Sequence, residues 1–401
     1  MPFLETNRLE ERIAMLGDYD TGSFRVSQLC REYAVSRPTF YTWLERRAAG
    51  EADWFVDRSH APHGCPHRTP EAVCAAVLEV KRRFPRFGPK KVRARLAREQ
   101  PQRAWPAAST VGDILKRAGL VEARAGRRRR PVELQRLDVA AAQPNEEWAC
   151  DFKGWFRTLD GRRCDPLTVT DTHTRYLLEV RIAEPTAEGV RPVFEQLFAD
   201  HGLPGSIRCD NGPPFGSVAA GGLSRLSVWW LKLGIEPHAI RPASPQDNGR
   251  HERMHRTLKA DTADPPATSL AEQQARFDVF RAYYNAERPH EGIGQAAPAD
   301  LWTPSARPRP KAPIEPWYDA DHQVRRVRTN GEIKWRGDFV FISEVLTGEP
   351  LGLIEQEDGA HLVRFFNVPL GVIDRRGQFR RFAPRRHRLR YAPEPQTQQN
   401  L

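Results

Sequence analysis

The stretch "EWACDFKGWF" (147–156) alternates apolar and polar residues, which restricts the centre of the chain to a sheet-based fold. One face of this strand would carry Asp151, and the other would carry the apolar side chains of Trp148, Cys150 and Phe152. "PLTVTD" and "RYLLEVRI" predict two more strands in a meander with the first. Helices alternating with the short strands "SIRCD" and "IEPHAI" follow, so residues 144–305 are predicted to form an α/β domain.

The region before this domain has helical patterning. Residues 26–47, "VSQLCREYAVSRPTFYTWLERR", repeat apolar side chains at helical spacing on both sides of a short turn. Ser36 is a candidate N-cap for the second helix. The pattern predicts a helix-turn-helix unit whose second helix enters a DNA major groove, with candidate DNA contacts at Arg37, Thr39 and Tyr41. An ordinary helical hairpin is the alternative interpretation.

Residues 68–121 predict a second helical unit, whose middle helix, "PRFGPKKVRARLAREQ", is strongly basic. Lys90 and Lys91 are candidate phosphate contacts on that helix, and a solvated helix face is the alternative. The preceding stretch "SHAPHGCPHRTP" contains three histidines and a cysteine. Their close packing, with no partner pair at zinc-finger distance, favours a linker over a zinc site.

Charge and cysteine usage narrow the possible partners. The chain carries 62 Lys+Arg against 51 Asp+Glu, a formal net charge of +11, which favours a polyanionic partner, nucleic acid first. No apolar run approaches the ~18 residues of a spanning helix, and the first residues lack the order of a signal peptide, so no membrane partner is expected. The 6 cysteines form no C-x-x-C pair and are expected to be thiols. We therefore expect a cytoplasmic protein that binds nucleic acid.

The patterning changes again after a proline-rich connector. Short strands separated by Asn-Gly, Gly-Asp and Asp-Gly turns predict a small β-barrel or sandwich, and the last residues are basic enough to bind DNA. The predicted order is a helix-turn-helix DNA-binding domain (1–62), a second helical DNA-binding domain (68–121), a basic linker (122–143), the α/β domain (144–305), a proline-rich linker (306–320), a small β-barrel (321–383) and a basic tail (384–401).

Three carboxylates of the α/β domain are candidate catalytic groups. Asp151 lies on the polar face of its strand, Asp210 ends a strand before an Asn-Gly turn, and Glu252 is near the start of a helix. Carboxylates in low-dielectric surroundings need a counter-charge, and Mg2+ supplies one while binding phosphate oxygens as well. Two such ions roughly 4 Å apart can hold the attacking and leaving oxygens of a phosphoryl displacement. In a basic protein, these acids predict a site for phosphodiester chemistry.

Five signatures follow one another between residues 144 and 305: "WACDFKG", "TDTHTRY", "RCDNGPPF", "RPASPQDNGRHERMHRTLK" and "YYNAERPHEGIGQAAPADLW". This ordered set resembles the integrase core of bacterial insertion-sequence transposases, in the superfamily that includes retroviral integrases. The resemblance implies a multidomain protein with N-terminal all-α helix-turn-helix units, a ribonuclease-H-like core and a C-terminal β-barrel. The stretch between Asp210 and Glu252 is longer than in many relatives, and we expect the surplus, "GSVAAGGLSRL", to be a surface loop.

The resemblance also implies an activity and its metal. Asp151, Asp210 and Glu252 match the family's Asp-Asp-Glu metal ligands, with Asp151 bridging two Mg2+ ions, for which Mn2+ is a possible substitute. The implied enzyme is a transposase that binds the terminal inverted repeats of its element, cuts there and joins the 3′ hydroxyls to target DNA. It would act as a homo-oligomer on double-stranded DNA, associated with the bacterial nucleoid and without an organic cofactor.

Residues around Glu252 are candidate DNA contacts. Lys259 matches a basic residue that the family places on the same helical face as Glu252. Arg256 lies on that face too, and Asn248, one turn before Glu252, would point into the same cleft.

Three alternative interpretations remain. His251 to His255 match the H-E-x-x-H pattern of zinc proteases, but a zinc site needs a third ligand and would leave Asp151 and Asp210 unexplained. A DNA-binding regulator that has lost catalysis and a general nuclease are the two other rival classes.

Asp171, a fourth acid nearby, is assigned to the turn after its strand and not to the metals.

Overall fold

A computed structural model describes residues 7–58, 68–121, 141–240 and 249–382. The chain divides into two compact units, Met1–Pro70 and Glu71–Leu401. None of the helices in the described ranges is both long and apolar enough to cross a membrane. Four features of the sequence fall outside those ranges: the histidine-rich stretch 60–67, nearly all of the linker 122–143, Asn248 and the basic tail 384–401.

The first unit contains three helices: α1 (Arg8–Asp20), α2 (Val26–Glu32) and α3 (Arg37–Ala48). The two predicted helices are therefore confirmed, and the Ser36 side chain accepts a hydrogen bond from the Thr39 backbone N–H as an N-cap. Helix α1 was not predicted, although Asn7 and Glu10 form a capping box at its start. The helices share one core of Met15, Leu16, Leu29, Cys30, Phe40 and Trp43.

A five-stranded sheet is the centre of the second unit. Its strands are β1 (Glu147–Phe152), β4 (Pro166–Asp171), β5 (Leu177–Ile182), β6 (Ser206–Cys209) and β7 (Glu236–Ala239). The spatial order is β5-β4-β1-β6-β7, with β5, β4 and β1 antiparallel and β1, β6 and β7 parallel. The predicted meander is confirmed, whereas the small hairpin of β2 (Phe156–Arg157) and β3 (Arg163–Cys164) was not predicted.

Helices cover both faces of this sheet. They are α7 (Ala187–His201), α8 (Arg225–Lys232), α9 (Gly249–Thr262) and α10 (Leu270–Ala286). On one face Trp148 and Cys150 of β1 pack with Phe194 of α7 and Trp230 of α8. On the other, strand β5 packs against α9 and α10 through the buried side chains of Leu177, Val180, Met254, Leu258, Phe277 and Phe280. The alternation along each strand thus separates a fully apolar layer from the layer beneath α9.

Three further helices precede the sheet in the same compact unit: α4 (Glu71–Arg83), α5 (Pro89–Glu99) and α6 (Ala108–Arg117). They enclose their own core, and Phe84 and Phe87 stack on Tyr283 of α10. This apolar contact joins the helical layer to the α/β domain.

The basic residues of α5 are largely paired within the protein. Lys90 Nζ lies 2.6 Å from Glu291, and Arg98 lies 2.8 Å from Asp300, both acids of the α/β domain. Arg95 pairs with Glu287 in the same way. Surface ion pairs contribute little stability, about 0–1 kcal/mol each, but they fill positions that phosphates would otherwise occupy. The proposed DNA contacts of this helix must therefore compete with internal carboxylates.

The C-terminal region consists of two antiparallel sheets. Strands β8 (His322–Arg326), β11 (Pro350–Glu355), β12 (His361–Phe365), β13 (Val368–Ile373) and β14 (Phe379–Arg381) form one, in the order β14-β13-β12-β11-β8, and β9 (Glu332–Trp335) pairs with β10 (Asp338–Phe341). Both sheets contribute to one core that includes Ile333, Val340, Leu351, Val363 and Ile373. An all-β domain is thus present, and closure into a barrel stays a prediction.

The surplus stretch "GSVAAGGLSRL" is not a simple surface loop, and that prediction was wrong. It contains a short 3-10 helix, Ala220–Gly222, whose Ala220 is buried in the C-terminal core together with Leu223. At Gly221 the backbone has φ +67°, and an added Cβ would lie 3.0 Å from Leu370 of β13. The extra residues therefore hold the C-terminal sheet against the α/β domain, an arrangement that a glycine-rich sequence does not reveal.

Candidate active site

Asp151 and Asp210 lie on neighbouring parallel strands. β1 and β6 pair with Ala149 opposite Arg208, and continuing this register by two residues brings Asp151 level with Asp210, just after β6 ends. Adjacent strands are about 4.8 Å apart, and residues at one level of parallel strands point to the same face. The pKa of the Cys150 thiol is raised chiefly by burial, and the charges of both aspartates raise it further, which places both near this one sulfur.

A tight turn positions Asp210. The Gly212 backbone N–H donates to the Asp210 carboxylate, and a Cβ at Gly212 would lie 3.2 Å from Asp210 Oδ2. Glycine at this position therefore leaves room at the carboxylate. Burial raises the pKa of Asp210, with the Gly212 N–H opposing the rise. A carboxylate that is costly to ionise alone gains from a bound cation.

Thr168 of β4 holds helix α9 beside Asp151. Thr168 is directly opposite Asp151 in the antiparallel β1–β4 pair, and its hydroxyl donates to the Asp151 carbonyl oxygen at 3.0 Å. The same Oγ1 lies 2.9 Å from His251 Nε2 and 2.7 Å from His255 Nε2. Side chains directly opposite in antiparallel strands share a face, so α9 lies over the face that carries Asp151.

The two histidines of the H-E-x-x-H pattern serve this contact. Burial lowers the pKa of His251 well below its ordinary value, and burial followed by the Lys153 charge lowers the pKa of His255 to about 3. Both rings are therefore neutral at neutral pH, with their Nε2 atoms at Thr168. A zinc protease would need both nitrogens for the metal. In the described part of the chain, no third potential ligand completes a metal site with them.

Glu252 is exposed in the first turn of α9, next to His251. Because His251 is held at Thr168, the backbone of Glu252 stays close to the edge of the sheet that carries Asp151. Within the described residues, one group of three possible metal ligands has all its ligand atoms within 4.8 Å of one another, namely Asp319, Asp321 and His322. Asp151, Asp210 and Glu252 do not form such a close group. The structure thus places Asp151 and Asp210 at one level of neighbouring strands and Glu252 on the adjoining helix, in a more open arrangement.

The donor set of these three acids fits a hard divalent cation. It consists of carboxylate oxygens alone, the ligands that Mg2+ prefers in proteins, and soft nitrogen or sulfur ligands are absent from it. Burial makes the ionised form of Asp210 costly, and a cation bound there would offset that cost. Asp151, Asp210 and Glu252 are the residues that would hold Mg2+.

Asp171 has a different environment, in agreement with its assignment to a turn. Its side chain is fully buried and accepts hydrogen bonds from the Asn145 backbone N–H at 2.8 Å and from the Thr174 backbone N–H and hydroxyl, both at 2.7 Å. With these three donors the carboxylate is satisfied internally. Asp171 therefore stabilises the fold, and it is directly opposite Trp148, not Asp151, in the β1–β4 pair.

The candidate DNA contacts lie in separate places. Arg37, Thr39 and Tyr41 are exposed on α3 of the first unit, and Tyr41 retains 48% of its surface. Arg256 and Lys259 are exposed on α9, the helix of Glu252. These remain predictions, as do Lys90 and Lys91, whose side chains adjoin Glu291 and Arg288.

Sequence reasoning missed Thr168 and the roles of both histidines. Each contact joins residues more than 80 positions apart, so no local pattern announces it. A signal existed in the strand pairing, because a meander that places "PLTVTD" opposite "WACDF" brings Thr168 opposite Asp151. The functional meaning of that pair depends on α9, which only the tertiary structure locates.

Replacing Thr168 with Val should loosen the attachment of α9 to the sheet. Valine keeps the shape but leaves two imidazole nitrogens, those of His251 and His255, without this partner, which costs about 1–3 kcal/mol. We expect a lower melting temperature. Thr168→Ser keeps the hydroxyl and should restore the melting temperature. A wild-type melting temperature in the Val variant would contradict this role.

Comparison with known proteins matches three parts of the chain. Integrase core domain families match residues 141–245 and 233–298, and a Homeodomain-like domain matches residues 39–115. The Insertion element IS476 uncharacterized 39.2 kDa protein of Xanthomonas euvesicatoria is 29% identical over 273 residues, covering 67% of this chain and 75% of that protein. The Insertion element IS407 uncharacterized 31.7 kDa protein of Burkholderia multivorans is 26% identical over 240 residues, covering 59% and 82%.

Among solved structures, a chain from the simian T-cell lymphotropic virus intasome in complex with PP2A regulatory subunit B56 gamma is 17% identical, with a TM-score of 0.36, and covers 77% of this chain and 100% of that one. A TM-score this low supports no conclusion by itself. The sequence matches are informative, because both integrase core families match the domain that contains Asp151, Asp210 and Glu252. These matches support an insertion-sequence transposase with an integrase-like core and an N-terminal homeodomain-like region.

Proposed function

We propose that this transposase binds the terminal inverted repeats of its own element, cuts at the element ends and joins the freed 3′ hydroxyls to target DNA. The observation that carries the proposal is the register of two parallel strands, which sets Asp151 level with Asp210. Glu252 lies on helix α9, which contacts Thr168 through His251, and Thr168 is directly opposite Asp151 in the neighbouring strand. Three acids, two of them on neighbouring strands and the third on the adjoining helix, suit phosphodiester chemistry in a protein of net charge +11.

Asp151, Asp210 and Glu252 would together hold Mg2+, for which Mn2+ could substitute. When bound, two Mg2+ ions stabilise the charge that develops on the attacking and leaving oxygens of an in-line displacement. Each carboxylate keeps its oxygens at a fixed place, so that water attacks in the cutting step and a DNA 3′ hydroxyl attacks in the joining step.

The rest of the chain would position DNA. Helix α3 presents Arg37, Thr39 and Tyr41 for end recognition, and α9 presents Arg256 and Lys259 for phosphates near the acids. Two element ends must meet for joining, so we propose that the protein acts as a homo-oligomer on DNA. The C-terminal β domain and the basic tail would hold target or flanking DNA without sequence preference. The site of action would be the bacterial nucleoid.

Strand transfer by the purified full chain tests this proposal. A labelled duplex with the terminal sequence of the element that encodes the chain is incubated with a plasmid target and Mg2+. We expect the labelled strand to become joined to the plasmid, and we expect EDTA to abolish the product. Cutting without joining would identify a general nuclease, and tight binding with neither reaction would identify an inactive DNA-binding regulator. Either result would overturn the proposal.

A further inference from the structure

Three cations lie near the three candidate acids, and one of them, Lys153, has its Nζ 5.7 Å from the centroid of the Phe156 ring. Lys153 follows β1, and Arg256 and Lys259 lie on α9; none of the three forms an ion pair with a residue in the described ranges. On α5, by contrast, Lys90 and Arg98 are neutralised by acids of the α/β domain. Positive charge that the protein leaves unpaired is available for an external anion.

Lys153 and Lys259 lie on the same side of the sheet as Asp151. The Lys153 backbone N–H donates to the Pro166 carbonyl at 3.0 Å, so strand pairing continues past Phe152, and alternation returns the Lys153 side chain to the face of Asp151. Helix α9 covers that face through His255, and Lys259 is one helical turn beyond His255.

Two lysines on the face of the sheet that carries Asp151, one following β1 and one on α9, form a positive site that a phosphate would stabilise.

An exposed tryptophan lies two residues further along. Trp155 retains 57% of its surface, and the guanidinium carbons of Arg163 and Arg157 lie 5.3 Å and 5.9 Å from its ring centroid. Gly154 has φ +88°, a backbone conformation that lets the chain turn sharply between Lys153 and the β2–β3 hairpin. An exposed ring flanked by cations is the type of surface on which unpaired bases stack.

We propose that Lys153 and Lys259 together hold one phosphate of the DNA strand at the catalytic edge, and that Trp155 stacks on an unpaired base next to that phosphate. This inference rests on the proposed function, since it gives the strand end a binding place beside the three acids. It assigns to "KGW" (153–155) a role in holding the end of the DNA, separate from the recognition of its sequence by helix α3.

Binding measurements without divalent cations test the phosphate site independently of catalysis. Fluorescence anisotropy of a labelled element-end duplex is measured over a range of salt concentrations for the wild type, Lys153→Gln, Lys259→Gln and the double variant. We expect the double variant to flatten the slope of log affinity against log salt by about one, the value for one phosphate. The effects of the two single variants should sum to no more than that.

Two variants serve as controls for this measurement. Arg191→Gln removes a cation from α7, on the opposite layer of the sheet, and should leave the slope unchanged. Lys153→Arg keeps the charge and should keep the slope, which separates loss of charge from loss of folding. An unchanged slope in the double variant, or a decrease of about two, would overturn the shared phosphate site.

The stacking half of the inference is tested with two duplexes of one sequence, one blunt and one with three unpaired terminal nucleotides. Trp155→Ala should weaken binding of the frayed duplex roughly tenfold and that of the blunt duplex much less. Trp317→Ala, which removes a tryptophan that is 80% exposed in the connector, should affect both duplexes equally. Equal losses for Trp155→Ala would refute stacking. Should the wild type bind in this manner yet fail to join strands, the proposed function fails while this inference stands.

Discussion

Asp151→Asn and Asp210→Asn should each abolish cutting and joining, with rates at least about 1,000-fold below wild type. Each variant removes one of two neighbouring charges, and the loss of a cation that stabilises the transition state by several kcal/mol corresponds to that factor. DNA binding should persist, because the exposed residues of α3 lie in the other compact unit. The rates are measured as labelled strand-transfer product over time.

Stability measurements separate loss of chemistry from loss of folding in these variants. The pKa of Asp210 is raised by burial, so the folded chain holds its proton more tightly than the unfolded chain. Above the ordinary aspartate pKa, about 3.9, the folded state therefore bears an unfavourable charge, and this cost persists at neutral pH. Asp210→Asn should melt at or above the wild-type temperature without metal, and Mg2+ should raise the melting temperature of the wild type only. A marked fall in melting temperature would mean that Asp210 supports the fold.

Asp200→Asn is a matched control for both aspartate variants. Asp200 is an exposed carboxylate on α7, beyond the apolar layer on the other face of the sheet. The same chemical change there should leave joining and the response to Mg2+ intact. A comparable loss of joining in this variant would indicate that net charge, and not the position of the acids, controls the reaction.

Asp171→Ala should destabilise the α/β domain by about 3–5 kcal/mol. The substitution leaves three donors, the Asn145 N–H and the N–H and hydroxyl of Thr174, buried without an acceptor. We expect the melting temperature to fall by roughly 10 °C. Circular dichroism measures this loss, and Asp171→Asn, which keeps an oxygen for Thr174, should lose less.

The two kinds of aspartate variant should therefore show opposite results. Asp171→Ala, kept below its melting temperature, should still join strands and still be stabilised by Mg2+. Asp151→Asn should be stable and inactive. If Asp171→Ala melts like the wild type but loses its response to Mg2+, Asp171 would belong to the metal site and the assignment to the turn would be wrong.

Much of this division could be predicted from local patterns. The alternation around Asp151, the turn after Asp210 and the helical spacing around Glu252 place each acid on the correct type of element, because strand and helix periodicities are local properties. The helix-turn-helix unit was equally visible, since Ser36 caps α3 through a residue only three positions away. The β2–β3 hairpin was missed because each of its strands has only two residues. Helix α1 was missed although its capping box, Asn7 with Glu10, is a local signal.

Relations between distant residues could not be predicted in the same way. The basic helix α5 indicated phosphate contacts, but its partners Glu287, Glu291 and Asp300 are about 200 residues away in the sequence. The glycine-rich surplus indicated a loop, yet it packs against β13. Whether a charge faces solvent, DNA or another part of the chain depends on what the fold brings to it.

The sequence by itself indicated the class of protein and the order of its helical, α/β and all-β regions, and it gave three acids as candidates, because those features follow from residue type, spacing and chain order. Only the tertiary structure decided that Asp151 and Asp210 share a level of the sheet and that Thr168 joins both histidines to β4. The physical reason is that periodicity sets which face a side chain occupies, whereas strand register and helix packing, formed over long separations, set what lies opposite it.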